Sequence, residues 1–153
     1  MKVHEVRTDK EQEHFIKLYQ CLALELFGEE HVPETSELSE RLTNSLEEKS
    51  RHWSFLLYED EASEPFGFFT LGESFAFFAK GFYGIINELW LKPEQRSKGV
   101  GASILSYIQD FAREKCWKRI DVSAPADDKW LRSFQFYLKN DFVFTGKKCK
   151  FLL

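Results

Sequence analysis

Three apolar stretches in the middle of the chain are separated only by short turns, and this arrangement strongly limits the possible folds. They predict strands over residues 53–59, 66–77 and 82–91, because Phe, Tyr, Trp and Ile favour pleated surfaces that are at least half buried. Connections this short join antiparallel neighbours, so the three strands are expected to form a meander. Gly72 suggests a bulge in the second strand, and Pro93 ends the third.

The pattern changes after Pro93 from alternation to helical spacing. Gly99 and Gly101 precede a stretch with a single apolar stripe, formed by Ile104, Leu105, Ile108, Phe111, Ala112 and Cys116. A second alternating segment follows, with Ile120, Val122 and Ala124 on one face. A strand–helix–strand connection places its two strands parallel, so this buried strand should run parallel to residues 82–91.

The remaining segments complete an α/β chain, an α+β mixed sheet, read as one domain over residues 1–153 because no repeat or Gly/Ser linker interrupts it. A helix that Gly28 can end is followed by a second helix that Thr35 or Ser36 can cap. In chain order, the segments outside the meander and crossover predict a strand at 2–7, helices at 9–27 and from about 35, a helix at 130–139, and strands at 142–145 and 149–153.

Composition excludes several classes of protein. The 153 residues carry a net charge of −4, which does not suit a general nucleic-acid binder. Three widely spaced cysteines (Cys21, Cys116 and Cys149) predict neither a disulfide framework nor a zinc knuckle, and the four histidines lack metal-ligand spacing. No signal peptide or membrane-spanning run is recognised. We therefore expect a cytoplasmic protein with no metal and no membrane partner.

Residues 95–102 carry the strongest indication of a binding site. Gly99 and Gly101 permit unusual backbone dihedral angles, so neighbouring N–H groups can converge on one anion. The start of the following helix adds partial positive charge there, and Arg96 and Lys98 add two full charges. The sequence therefore predicts a cradle for a pyrophosphate group.

Two phosphate-binding patterns of other folds do not match this loop. The nucleotide P-loop requires Gly-x-x-x-x-Gly-Lys-Ser/Thr, which the segment does not supply. The dinucleotide pattern requires a third glycine where Ile104 stands, and it follows parallel rather than antiparallel strands. A nucleotide- or phosphate-binding protein of another α/β type is kept as an alternative.

The run Arg96-Ser97-Lys98-Gly99-Val100-Gly101 resembles the Arg/Gln-x-x-Gly-x-Gly/Ala signature of the GNAT superfamily of acyl-CoA-dependent N-acetyltransferases. The strand and proline before it, residues 88–93, are also similar to that family, and so are Phe136-Tyr137 and Phe142 further on. The order of elements agrees over residues 2–153. Two positions depart from the family pattern, since Trp130 stands in place of an Asn and Asp141 in place of a Gly.

The resemblance implies a GNAT-like fold, with a mostly antiparallel sheet that is splayed at one parallel strand pair and flanked by about four helices. Acetyl-CoA would lie where residues 89–91 part from residues 120–122, with its pantetheine amides bonded like an extra strand. The residues implied to bind it are Leu89, Trp90, Leu91, Arg96, Ser97, Lys98, Gly99, Val100, Gly101 and Ala102.

The resemblance also implies direct transfer of an acetyl group to a primary amine. A backbone N–H near Leu91 would polarise the acetyl carbonyl, and Glu88 is the candidate base that deprotonates the amine. Tyr137 is the candidate acid for the departing thiolate, since an ordinary tyrosine has a pKa near 10. The plain alternatives are a solvated strand residue for Glu88, a core ring for Tyr137, and a non-catalytic acyl-CoA sensor for the whole chain.

The uneven distribution of charge suggests the class of acceptor. Residues 1–50 hold 6 Lys/Arg and 12 Asp/Glu, whereas residues 92–153 hold 13 and 7. Six glutamates lie near the junction of the first two helices, where the family has its acceptor side: Glu25, Glu29, Glu30, Glu34, Glu37 and Glu40. They predict a cationic acceptor, such as a polyamine, an aminoglycoside-like compound or a peptide amine, or else a merely solvated helix face. The Phe residues of 66–82 are expected mainly in the core, with an acceptor pocket or a homodimer seam as alternatives.

Overall fold

The structure is a computed structural model, and it describes residues 1–47, 49–123, 130–146 and 149–151. The strands are β1 (Lys2–Glu5), β2 (His52–Tyr58), β3 (Gly67–Ala76), β4 (Gly81–Leu91) and β5 (Ile120–Val122). The helices are α1 (Asp9–Phe27), α2 (Thr35–Ser45), α3 (Val100–Glu114) and α4 (Leu131–Lys139). Short 3-10 turns occupy Glu29–His31 and Pro93–Gln95.

The five strands form one mixed sheet in the order β1-β2-β3-β4-β5. The first four are antiparallel neighbours, as the short turns of the meander predict. β4 and β5 form the parallel pair, which starts where the Lys118 amide donates to the Phe82 carbonyl and the Gly84 amide to the Arg119 carbonyl. The predicted α/β class with one parallel strand pair and four helices is therefore confirmed.

Local sequence explains where α1 begins and ends. The Thr8 side chain accepts from the Glu11 amide while the Glu11 carboxylate accepts from the Thr8 amide, which is a complete capping box. Gly28 ends the helix as predicted, with a φ of 87° that disfavours other residues. The predicted cap of α2 is wrong: Thr35 is already helical, and Glu34 occupies the cap position without a side-chain hydrogen bond.

Apolar side chains cover both faces of the sheet that β1, β2, β3 and β4 form. On one face, Phe68, Leu56 and Val6 form a buried cluster with the apolar stripes of α1 and α2. On the other face the Phe55 ring stacks on Phe69 at 4.7 Å between centroids, and α3 residues pack over both. Alternate residues of one strand thus serve different cores, as the two-residue period of a strand requires.

The meander differs from its prediction in the position of the bulge. Thr70 pairs with Glu88 while Leu71 pairs with Ile86, so the extra residue is Asn87 on β4. Gly72 pairs regularly with Ile85 and is not the bulge. A bulge turns the direction of the side chains that follow it, so this irregularity sets where the end of β4 presents its side chains.

The phenylalanines of 66–82 divide into two groups, so the expectation of a mainly buried cluster holds only for part of them. Phe66, Phe68 and Phe69 are buried. The rings around the β3–β4 turn are exposed, and Phe77 keeps 92% of its surface accessible; the others are Phe75, Phe78 and Phe82. Ile120 and Val122, which the sequence predicts to be buried, both lie on β5 and are half-buried.

The chain divides into two compact units, Met1–Asp121 and Val122–Leu153. The second contains α4, which matches the predicted helix at 130–139. Residues 142–145 do not form the predicted strand. Residues 149–151, which belong to the other predicted strand, do not form a strand either. Residues 152–153 and Ala124 lie outside the described residues. No helix in the described parts of either unit is long and apolar enough to cross a bilayer.

Candidate functional site

The end of β4 places the predicted catalytic carboxylate beside a strand irregularity. Glu88 follows the bulged Asn87 directly and lies opposite Thr70. Leu89, Trp90 and Leu91 continue the ladder with β3 beyond it. A Cβ atom on Gly67 would lie 2.6 Å from both the Leu91 side chain and the Trp90 carbonyl oxygen, so only glycine fits this close approach.

Glu88 is half-buried and has a polar neighbour, Thr70, on β3. Thr70, which is only 2% exposed, donates its hydroxyl hydrogen to Glu88 Oε2, and the Glu88 amide donates to Thr70 Oγ1 at 3.2 Å. Burial raises the pKa of the Glu88 carboxyl above its ordinary value, and the Thr70 hydrogen bond opposes part of that rise. The carboxyl therefore gains a proton more readily than an exposed glutamate.

Side chains from both N-terminal helices lie within electrostatic range of this carboxylate. Burial raises the pKa of the Tyr19 phenol on α1, the charge of Glu88 raises it further, and Arg41 on α2 lowers it. The Tyr19 ring lies 6.2 Å from Phe68 and 6.4 Å from Phe15. Tyr19 and Arg41 were not among the predicted site residues, because neither belongs to a recognisable motif.

The predicted anion-binding loop has an unusual backbone conformation at only one of its two glycines, because Gly101 already lies within α3 and has no positive φ. Ser97 and Gly99 both adopt positive φ angles, 64° and 80°. Gly99 is the cap residue of α3 and has no side chain with which to cap it, and the first helical bond runs from the Ala102 amide to the Gly99 carbonyl. The amides of Val100 and Gly101 therefore precede the intrahelical bonds, at the positive end of the helix dipole.

The space around this helix start fits an anionic group. A Cβ atom on Gly99 would meet nothing within 4 Å, and Ser97, Lys98 and Gly99 are all exposed. Gly99 is therefore open to solvent beside the N-terminal amides of α3, where a helix favours an anion. This chemistry suits the pyrophosphate of coenzyme A, whose predicted contacts with residues 96–102 stay predictions.

Arg96, one of the predicted charges of the cradle, has a partner that the sequence did not indicate. Its guanidinium donates to both carboxylate oxygens of Glu25 on α1, at 2.9 and 2.7 Å, and to the Leu91 carbonyl at 2.9 Å. The Trp90 indole donates to the same carboxylate at 2.8 Å. Arg96 and Glu25 are 71 positions apart, so no local pattern could have paired them.

Tyr137, the predicted acid, lies on α4 in the second unit. Its ring contacts Phe136 and Phe142, at 5.2 and 5.4 Å between centroids. Burial raises the pKa of the Tyr137 phenol to about 12. Asp141 has a φ of 65°, a left-handed conformation that Gly adopts most easily and that Asp tolerates better than most residues. The helix end therefore accommodates this departure from the family pattern.

The six glutamates of the acidic front are not equivalent. Glu25 is bonded to Arg96 and Glu37 to Arg41. The other four are exposed and have no ion-pair partner among the residues described: Glu29, Glu30, Glu34 and Glu40. The three cysteines are free and exposed, and the described ranges contain no group of three metal-ligating side chains.

Comparison with known proteins identifies the family and the fold of this chain. A model of the acetyltransferase (GNAT) family matches residues 12–142, whereas no curated protein matches the sequence. A crystal structure of a probable acetyltransferase superposes with a TM-score of 0.78 at 21% identity, covering 100% of this chain and 97% of that one. At such identities the likeness concerns the fold alone.

Two further crystal structures share the fold. The aminoglycoside 6'-N-acetyltransferase of Acinetobacter haemolyticus has a TM-score of 0.77 at 15% identity, with 100% of this chain and 98% of that one covered. The ribosomal-protein-alanine N-acetyltransferase of Brucella melitensis biovar Abortus 2308 has a TM-score of 0.72 at 12% identity, covering 100% and 99%. Because the family model spans most of the sequence, the chain belongs to the acetyltransferase (GNAT) family.

Proposed function

We propose that this protein is an N-acetyltransferase that moves an acetyl group from acetyl-CoA directly to a primary amine. Membership of the family supports acyl transfer. The single observation that carries the proposal is Glu88, a half-buried carboxyl with a raised pKa, situated on the strand that leads into the anion-binding loop. A carboxyl whose pKa lies closer to neutrality is better matched to accepting a proton from an ammonium group.

The proton balance defines what the side chains must do. In the reaction the acetyl carbon–sulfur bond breaks and a carbon–nitrogen bond forms. An ammonium acceptor loses two protons on becoming an amide, one of which ends on the thiol sulfur and the other in solvent. Glu88 is the proposed acceptor of the first proton, directly or through a water molecule. A backbone N–H near Leu91 is proposed to donate to the acetyl carbonyl oxygen.

The proposed role of Tyr137 is that of donor to the departing sulfur. With a pKa of about 12 the phenol stays protonated across the physiological range. A thiol has a pKa of about 8.5, so full proton transfer from this phenol to the thiolate is uphill. Tyr137 therefore acts mainly as a hydrogen-bond donor that stabilises the developing thiolate, and the proton released by the amine completes the thiol.

A cationic acceptor is proposed from the charges on the α1–α2 side of the first unit. Four exposed glutamates without ion-pair partners in the described ranges create a negative field there: Glu29, Glu30, Glu34 and Glu40. Such a field raises the local concentration of a polyamine, an aminoglycoside-like compound or a basic peptide amine. The aminoglycoside acetyltransferase among the structural neighbours is compatible with this class of acceptor.

A thiol-release assay with acetyl-CoA and a panel of amines tests the proposal. We expect turnover that Glu88→Gln lowers by about a hundredfold, whereas Glu94→Gln, an exposed glutamate beside the same loop, leaves the rate unchanged. Spermidine should be a better substrate than a neutral amine, and its advantage should shrink as salt is added. Binding of coenzyme A without acetyl transfer to any amine, even in a single turnover, would instead indicate an acyl-CoA sensor.

A further inference from the structure

The guanidinium of Arg96 is fixed from two directions at the entrance of the anion-binding loop. The carboxylate of Glu25 on α1 receives two of its N–H groups, and the Leu91 carbonyl at the end of β4 receives the Nε–H. Both charged side chains are about two-thirds buried, with 33% and 31% of their surface accessible. Arg96 also lies over the Trp90 ring, 5.7 Å from its centroid.

This arrangement removes most of the attraction that Arg96 could offer to a diphosphate. Glu25 and Arg96 together are electrically neutral, and three of the five guanidinium N–H groups are already used. The hydrogen bonds from Arg96 and then Trp90 hold the pKa of Glu25 below its ordinary value, so the carboxylate stays ionised near neutrality. Lys98, in contrast, is exposed and has no ion-pair partner among the described residues.

We propose, resting on the coenzyme A site proposed above, that Glu25 is a positioning residue, which fixes Arg96 and thereby the backbone of residues 96–101 around the diphosphate. Arg96 directly precedes Ser97 and is three residues before Gly99, the two positions with positive φ. Its bond to Leu91 spans the Pro93–Gln95 turn, so the start of the loop is anchored to both β4 and α1. Lys98 then supplies the side-chain charge.

The sign of the effect of Glu25→Gln distinguishes positioning from simple electrostatics. The substitution removes a negative charge near a polyanion and frees Arg96, so electrostatics alone predicts tighter binding of coenzyme A. Positioning predicts weaker binding, since glutamine cannot accept both guanidinium bonds with the strength of a carboxylate. We expect the dissociation constant of coenzyme A, measured by calorimetry, to rise about tenfold.

Three further variants complete the experiment. Arg96→Lys keeps the charge but cannot form the bidentate pair, so it should weaken binding as Glu25→Gln does. Lys98→Gln should also weaken binding, but only this variant should reduce the dependence of affinity on salt concentration. Glu37→Gln breaks another Glu–Arg pair, on α2, and should leave coenzyme A binding unchanged. In assays, Glu25→Gln should raise KM for acetyl-CoA with little change in kcat.

Hydrogen exchange of the unliganded protein gives a second readout that does not depend on turnover. In Glu25→Gln, amides of residues 96–101 should exchange faster, while those of α2 should not change. Tighter binding, an unchanged loop, or an equal effect of Glu37→Gln would overturn the inference while leaving the proposed function intact. Wild-type protein that binds no coenzyme A would overturn both. If Glu25→Gln does not fold, Arg96→Lys tests the inference instead, through the dissociation constant of coenzyme A and the hydrogen exchange of residues 96–101.

Discussion

The Thr70 hydroxyl on β3 donates a hydrogen bond to the Glu88 carboxylate on β4, at the ladder position directly beside the β4 bulge. The two residues are 18 positions apart and are brought together by the antiparallel register. Since Thr70 is buried, its hydroxyl and the Glu88 carboxylate interact in a medium where hydrogen bonds to charge are strong. A substitution of Thr70 should therefore change the proton affinity of Glu88, the proposed base.

Thr70→Val should shift the pH dependence of acetyl transfer. Valine keeps the shape of threonine but removes the hydrogen bond that lowers the pKa of Glu88, so that pKa should rise further. Because the base must be ionised, the acidic limb of kcat/KM should move to higher pH. The measurement is a kcat/KM profile between pH 5 and pH 9. Thr43→Val, which removes a hydroxyl bonded to the Ser39 carbonyl on α2, is the control; a shift to lower pH would contradict the assignment of Glu88.

Glu88→Gln should stabilise the folded protein while it lowers the rate of the proposed acetyl transfer. A carboxyl with a raised pKa in the folded state contributes stability below its unfolded pKa, and that contribution is lost as pH rises through the folded value. Removing the ionisable group should therefore raise Tm at pH 8 by about 2 to 4 °C, with no gain at pH 4. Thermal unfolding at both pH values measures this. Glu94→Gln should show no such pH-dependent difference.

Sequence reasoning found the parts of this molecule whose signals are local. Alternation and short turns predict the antiparallel meander, and Gly99 with the helical stripe from Ile104 to Ala112 predicts the loop, the helix start and the parallel strand. Cys116, the last residue of the predicted stripe, lies beyond α3 and is exposed. Gly72 predicts the bulge because glycine is a common local signal for one, but in the observed register the extra residue is Asn87. The Glu25–Arg96 pair depends on the docking of α1 against β4, which no spacing within either segment reveals.

Gly99 offers a comparison of two substitutions that differ in charge. Asn and Asp both tolerate the left-handed conformation at φ 80° better than other residues, and a side chain there meets no neighbour. Gly99→Asn should therefore retain most of the affinity for coenzyme A, whereas Gly99→Asp should lose it by placing negative charge against the diphosphate. Calorimetry with coenzyme A compares them, and circular dichroism checks that both variants fold. Equal affinities for the two variants would argue against an anion at this helix start.

Gly84→Ala should destabilise the first unit through a clash with one aromatic ring. A Cβ atom on Gly84 would lie 2.2 Å from two ring carbons of Trp117, which is buried and bonded to Glu73. Overpacking of this kind costs about 1 to 3 kcal/mol in the free energy of unfolding. Urea denaturation measures the cost. In a Trp117→Leu background the same substitution should cost much less, and additive effects would contradict a direct clash.

Tyr137→Phe should lower kcat while leaving the binding of coenzyme A nearly unchanged. The phenol has a pKa of about 12, so the wild-type enzyme should keep its hydrogen-bond donor throughout the usual assay range. Any basic limb of the rate profile below pH 10 must then come from another group or from the acceptor. Loss of the hydroxyl should reduce kcat by about ten- to a hundredfold, because it acts only when charge develops on sulfur.

Steady-state rates and calorimetry on the same preparation separate the two effects of Tyr137→Phe. Phe142→Leu is the matched control, because it alters a ring in contact with Tyr137 and keeps the hydroxyl. If Tyr137→Phe loses affinity for coenzyme A in proportion to its rate, or keeps full kcat, Tyr137 is a packing residue of the second unit. In that case the phenol is buried and protonated, as its raised pKa indicates, but it takes no part in the departure of the thiolate.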